Sequence, residues 1–182
     1  GVEDRIEVDG ECTISSLCQA LEGARRSAII CDCEGAEDKL LCPDLVAPLK
    51  IGRRIAVVSD INTHDAMGKR VARELKALGA VDEVVLPGDT HCDEPTIARV
   101  QDLTRHADGV VAVGSGSLSD TCKFATFKDG RKYACFATAS SMNGYAASTA
   151  SVTLNSGYKT SLPAHAPRGI FIDLQVCADA PI

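Results

Sequence analysis

Four apolar runs rich in β-branched residues, "RIAVVSDI" (54–61), "VDEVVLPG" (81–88), "GVVAVG" (109–114) and "KYACFATA" (132–139), alternate with segments of helical period. That alternation narrows the fold more than any other feature. Strand, helix and strand in succession read as a βαβ unit, and successive units build a parallel sheet with helices on its faces. After the first run, Met67, Val71, Leu75 and Leu78 recur at spacings of four, four and three, one face of a helix. Asn62 or Thr63 is placed to cap that helix and Gly79 to end it. A second helix is expected over "DEPTIARVQDLTRH" (93–106), with Pro95 in its first turn and Ile97, Val100 and Leu103 facing the core. A third is expected over 117–127.

Residues 1–50 are less regular, with a strand expected at "RIEVDG", a helix at "ISSLCQALEGA" and a buried strand at "SAIICDC". Pro43 and Pro48 punctuate "CPDLVAPLKIG", which reads as a connection. Beyond the fourth run come a polar turn "SSMNGYAAS", a hairpin through "SVTLNSGYKTS", a strand "RGIFIDL" and the tail "QVCADAPI". The fold class expected is α/β, a Rossmann-like parallel sheet with flanking helices. The 182 residues suit one domain, a β/α segment at 1–50 followed by a core at 51–182.

Composition limits the partners. Hydrophobic residues make up 45% of the chain, yet no apolar run approaches the roughly 18 residues a membrane span requires. The net charge of -6 comes with no basic block, which argues against nucleic acid as a partner. Nine cysteines at irregular spacings form no disulfide framework and are expected to be reduced thiols in a cytoplasmic protein. Cys31, Cys33 and Cys42 lack the CxxC pairing of structural zinc sites, so no metal is assigned to them.

The third run passes straight into "GSGSLSD" (114–120). A strand that ends in alternating Gly and Ser and opens a helix aims backbone N–H groups and the positive end of a helix dipole at one point, where anions bind. The pattern departs from GxGxxG, since Ser119 stands at the third glycine position and the motif follows the third strand of the series. The first run ends in "SDINTHD", placing Asp60 where its carboxylate can accept from a ribose or adenine donor, with Asn62 and Thr63 beside it. The fourth run also ends in a polar turn, "TASSMNG". Three such strand ends describe the crevice in which open α/β sheets bind nucleotides.

Taken together, "VVSDINTHD", "VGSGSLSD", "FATASSMNGYAASTASVT" and "GYKTS" resemble the dehydroquinate synthase-like superfamily, which includes the iron-containing alcohol dehydrogenases, the glycerol dehydrogenases and, most similar in these motifs, the sn-glycerol-1-phosphate dehydrogenases. The resemblance covers about residues 51–182. It implies an N-terminal NAD(P)-binding domain of a dehydrogenase that moves a hydride between a polyol or polyol phosphate and a nicotinamide cofactor. The all-helical domain that carries the divalent metal in such enzymes is expected to be absent from this chain, which alone should bind cofactor and catalyse nothing.

Carried over by motif, Asp60, Asn62 and Thr63 would meet the adenosine side of the cofactor. Gly114, Gly116, Ser117 and Asp120 would hold the pyrophosphate, while Thr138, Ser140, Ser141 and Ser148 would line the nicotinamide end. Lys159 resembles a lysine that reaches phosphate or carboxylate. Asn143 stands where the family has a substrate-positioning acid, and an amide can hydrogen-bond a hydroxyl but cannot act as a base. Ala147 stands where a serine is expected, with Ser148 as its substitute.

No catalytic residue and no metal ligand is assigned. His64 and His91 fall near strand ends, and His106 reads as a cation at a helix C-terminus. NAD is favoured over NADP, because a carboxylate at Asp60 would repel a 2'-phosphate. The alternatives are a 3-dehydroquinate synthase-like domain, favoured by Lys159, and a non-catalytic nucleotide-binding module, favoured by Asn143. A homodimer through the apolar face that the missing domain would cover is the expected assembly.

Overall fold

The computed structural model describes residues 28–32, 43–142 and 144–181. The strand expected at "RIEVDG", the helix at "ISSLCQALEGA", Cys33, Cys42 and Asn143 lie outside the described residues. Within them run β1 (Ala28–Asp32), α1 (Pro43–Val46), β2 (Arg54–Asp60), α2 (Ile61–Thr63), α3 (Lys69–Leu75), β3 (Ala80–Leu86), α4 (Glu94–Thr104), β4 (Gly109–Gly114), α5 (Gly116–Asp129), β5 (Lys132–Ala137), β6 (Thr149–Thr153), β7 (Lys159–Pro163), β8 (Gly169–Asp173) and α6 (Leu174–Ala178). A π turn over His64–Gly68 joins α2 to α3. Six strands form one sheet, parallel throughout, in the order β1-β8-β5-β4-β2-β3, and β6 and β7 form a separate antiparallel hairpin.

The chain leaves β2 in one direction to reach β3 and returns across β2 to lay down β4 on its other side. The strand order reverses there. The C-terminal ends of β2 and β4 therefore splay two consecutive loops apart, the place where open α/β sheets bind ligands.

The central strands are apolar on both faces because helices cover both. Val58, Val110 and Ala112 pack with Ile97 and Val100 of α4 and with Leu118 and Cys122 of α5. Val57, Val111 and Val113 face the other way, toward Met67, Val71 and Leu75, where Phe136 and Phe171 stack at 4.6 Å between centroids. Each such side chain contributes about 1.5–3 kcal/mol on burial, so the two layers supply the main driving force of the fold.

Glycine is required where helix meets strand. A Cβ on Gly114 would lie 2.4 Å from Leu118 Cδ2, so any larger residue where β4 turns into α5 would push the buried Leu118 side chain aside. At the other end of α5, Gly130 takes the left-handed conformation (φ 68°) and donates its N–H to Phe127 O at 3.2 Å, ending the helix.

Several local expectations are corrected. Asp60, not Asn62 or Thr63, caps the helical stretch after β2. Leu103 is 40% exposed, and the buried side chain at the end of α4 is Thr104, whose hydroxyl donates to Val100 O at 2.7 Å. "CPDLVAPLKIG" is not a plain connection, since α1 and a 3-10 turn at Ala47–Leu49 occupy it and bury Leu45 and Val46. The strand expected over 132–139 ends at Ala137.

Candidate functional site

Helices of the sheet's C-terminal edge begin in two ways. Asp60, Asp93 and Asp173 each place a carboxylate oxygen on a first-turn N–H, from Thr63, Thr96 and Val176, at 2.8, 2.8 and 3.0 Å. Those helix ends are closed by a negative charge. Ser115, at the head of the 14-residue α5, makes no side-chain capping bond. The N–H groups of its first turn have no side-chain acceptor at the cap, and they lie at the crevice beside the end of β4.

A cleft of about 400 Å³ opens onto that turn. Gly116, Ser117 and Asp120 supply one side of it, and Lys159 and Ser161 of the hairpin another. Met142 and Gly144 of the loop between β5 and β6 also line it, and a Cβ added to Gly116 would still lie 3.8 Å from the Met142 side chain. The hairpin is tied to the head of α4, with Thr153 N donating to Cys92 O at 2.8 Å and Asn155 N to Glu94 Oε2 at 2.7 Å. Cys92 also lines the cleft, but burial pushes its thiol up to about 11, so it is protonated near neutrality and is no thiolate nucleophile.

The residues expected from the sequence divide by location. Gly116, Ser117, Asp120 and Lys159 line the cleft. Gly114 lies buried at the end of β4, and its carbonyl accepts from the N–H of the buried Thr138 at 3.4 Å. Ser140, Ser141 and Ser148 are exposed on the loop that follows β5, and the Ser148 carbonyl accepts from Ala164 N at 2.8 Å. Asp60 ends β2 and Asn62 and Thr63 follow it, outside the cleft, where a Cβ on Gly88 would come within 3.0 Å of Asn62 Nδ2. His91 lines the cleft, and His64 Nδ1 lies 3.2 Å from Ser59 Oγ. His106 lies beyond the end of α4, with Nε2 at 3.1 Å from Asp82 Oδ2, so it pairs with a carboxylate of β3.

Sequence reasoning missed Lys123. Its side chain is 0% exposed, and Nζ donates to Asp120 Oδ1 at 3.2 Å, Gly144 O at 2.8 Å and Thr149 O at 3.2 Å. The other oxygen of Asp120 accepts from Ser151 N at 2.9 Å. The sequence signal was an acid and a lysine three apart on a helix whose neighbours Leu118, Cys122 and Ala125 all belong to the core.

The family profile described as iron-containing alcohol dehydrogenase matches residues 35–181. The chain belongs to that family. It is 34% identical over 131 residues to glycerol-1-phosphate dehydrogenase [NAD(P)+] of Bacillus velezensis, a match covering 69% of this chain and 33% of the relative. It is 33% identical over 139 residues to the protein of the same name from Methanoculleus marisnigri, covering 76% of this chain and 38% of that one. The chain thus spans little more than a third of the length of these relatives. Among solved structures, a probable glycerol dehydrogenase from Sinorhizobium meliloti superposes with a TM-score of 0.69 at 22% identity, covering 86% of this chain and 41% of that one. A 2-deoxy-scyllo-inosose synthase complexed with carbaglucose-6-phosphate, NAD+ and Co2+ superposes at 0.71 and 18% identity, covering 84% and 43%. Both structures share the fold of this iron-containing alcohol dehydrogenase family member.

Members of this family are named for iron. Among the described residues, no group of three or more His, Cys, Asp or Glu side chains gathers to hold a metal ion. The described residues of this family member therefore do not fit a metal centre, and no chemistry is assigned to one here. None of its described helices is long and apolar enough to cross a membrane.

Proposed function

We propose that this chain is the nicotinamide-dinucleotide-binding part of a dehydrogenase acting on a polyol or polyol phosphate of the glycerol-1-phosphate type. The observation that carries this reading is the uncapped head of α5, which opens onto a roomy cleft at the point where the strand order reverses, while neighbouring helices are closed by aspartates. A pyrophosphate takes the place of the missing cap. Gly114 permits the tight turn, Gly116 leaves the backbone open to approach, and Ser117 adds a hydroxyl donor.

In this reading Asp60, Asn62 and Thr63 meet the adenosine half, where the Asp60 carboxylate favours NAD over NADP. Thr138, Ser140, Ser141 and Ser148 belong to the nicotinamide half. Asp120 braces the wall of the cleft, and its charge is offset by Lys123. Lys159 on the hairpin serves substrate as a cation for a phosphate, and Asn143 serves it as a hydrogen-bonding amide. The cofactor supplies the hydride acceptor when bound, and the chain's own groups bind and orient it.

Calorimetric titration of the chain with NAD and with NADP tests the reading, with a Gly116→Val variant in parallel. The expected result is saturable binding, tighter for NAD, that the variant loses while its melting temperature stays near that of the parent. Absence of binding in the parent chain, or equal binding in the variant, would overturn it.

A further inference from the structure

An ammonium group removed from water stays charged in a fold only when it is paired and hydrogen-bonded. Lys123 meets that condition completely, with three N–H donors and three acceptors, Asp120 Oδ1, Gly144 O and Thr149 O. The acceptors belong to three different parts of the chain: α5 itself, the loop after β5, and the first residue of β6. Asp120 extends the connection through Ser151 N. Next to Gly144, Tyr145 is buried, its hydroxyl donating to Ala139 O at 3.0 Å and lying 3.4 Å from Gly114 O. The loop is thus held at adjacent residues, by Lys123 from the helix and by Tyr145 near the end of β4.

That loop carries Met142 and Gly144, which line the cleft opposite Gly116 and Ser117. Its placement fixes the distance between the open helix end and the facing wall. We propose that Lys123 is a positioning residue: from inside the core it holds the 138–149 wall at the separation from the α5 turn that the nicotinamide half of a dinucleotide requires. The inference rests on the reading of the cleft as a dinucleotide site. Lys123 itself, wholly buried, touches no ligand.

A purely structural lysine and a positioning lysine differ in what they do to two halves of one ligand. ADP-ribose carries the pyrophosphate and adenosine but lacks the nicotinamide ring, so comparison with NAD isolates the wall's contribution. In Lys123→Met the Asp120 carboxylate loses its offsetting charge, which should weaken NAD and ADP-ribose alike, and beyond that shared loss the preference for NAD over ADP-ribose should fall about tenfold, the equivalent of one charge-assisted hydrogen bond. Hydrogen exchange in the free variant should quicken over 144–151 and remain slow in β4 and β5.

Lys123→Ala leaves space for a small amine, and n-propylammonium should restore both the NAD preference and the slow exchange; if the variant folds only with the amine, the same ratio is read in its presence. A preference for NAD that survives Lys123→Met, exchange over 144–151 that does not change, or an amine that restores stability without restoring the preference overturns the inference. Failure of the unmodified chain to bind either ligand overturns the dinucleotide reading instead, and the exchange experiment then decides the clamp by itself.

Discussion

Asp60 and Thr63 close on each other across the first turn after β2. The Asp60 Oδ1 accepts from Thr63 N at 2.8 Å, and the Thr63 hydroxyl accepts from Asp60 N at 3.0 Å. This reciprocal pair is a capping box with threonine in place of the usual acid at its third position. Asp60 therefore has a structural duty besides the ribose contact proposed for it, and the two can be separated. Asp60→Ala should cost about 1 kcal/mol in urea unfolding through loss of the cap. Asp60→Ser keeps a capping oxygen and should stay within a few tenths of a kcal/mol of the parent, yet bind NADP more tightly because the repelling charge is gone. Unchanged NADP affinity in Asp60→Ser would show that the carboxylate does not face the ribose.

Two glycines of one motif should respond in opposite ways. Gly114→Ala forces a Cβ to within 2.4 Å of Leu118 Cδ2 and should destabilise the chain by about 1–3 kcal/mol. Gly116→Ala meets nothing closer than 3.8 Å, so thermal stability should hold or rise slightly. Its effect belongs to ligand approach, and dinucleotide affinity should drop. Thermal melts with and without NAD distinguish the two variants.

The two apolar faces of α4 give a matched comparison. Ile97 is 2% exposed and Leu103 is 40% exposed. Ile97→Ala should cost about 2–5 kcal/mol by opening a cavity under β3 and β4, while Leu103→Ala should fall below about 1 kcal/mol. Denaturant midpoints of the two variants, at equal slope, check the difference.

His165 should give the fold a pH dependence above the carboxylate range. Burial, then the nearby charges of Arg168 and Lys123, hold its imidazole below the ordinary 6.5, and Nε2 lies 3.0 Å from Thr126 Oγ1. In the unfolded chain the ring takes up its proton near the ordinary value, and in the folded chain only at lower pH. The contribution to stability is therefore fully present above 6.5 and is lost as pH falls through the folded value. His165→Gln should flatten the melting temperature between pH 6.5 and the carboxylate range, where the wild type declines. An identical slope in both would assign the decline to other groups.

The strands and the apolar helix faces were legible because burial on both sides of a parallel sheet writes long β-branched runs, and the path of α3 because Met67, Val71 and Leu75 keep one period. The Gly-Ser turn was legible for a related reason, since β4 enters α5 without a connecting loop and a Cβ on Gly114 would crowd Leu118. Leu103 misled because periodicity sends every apolar residue inward, whereas Thr104 hides its hydroxyl on the Val100 carbonyl and takes the buried place. The cap after β2 was misread by two or three residues because the end of the strand, not the nature of the side chain, decides which residue caps. Lys123 was missed for a deeper reason. A lysine on a helix reads as solvated, and its carbonyl partners lie 21 and 26 residues away, in segments that only the folded chain brings to it.

We propose the head of α5 as the pyrophosphate site of a dinucleotide. Amide chemical shifts of the isotopically labelled 182-residue chain, followed during titration with NAD, test it most directly. The expected result is a saturable change concentrated at Ser115, Gly116, Ser117 and Leu118, with smaller changes at Lys159 and Ser161 across the cleft and none at the opposite, N-terminal edge of the sheet. Shifts that leave the Ser115–Leu118 amides unmoved while NAD binds elsewhere would contradict the account.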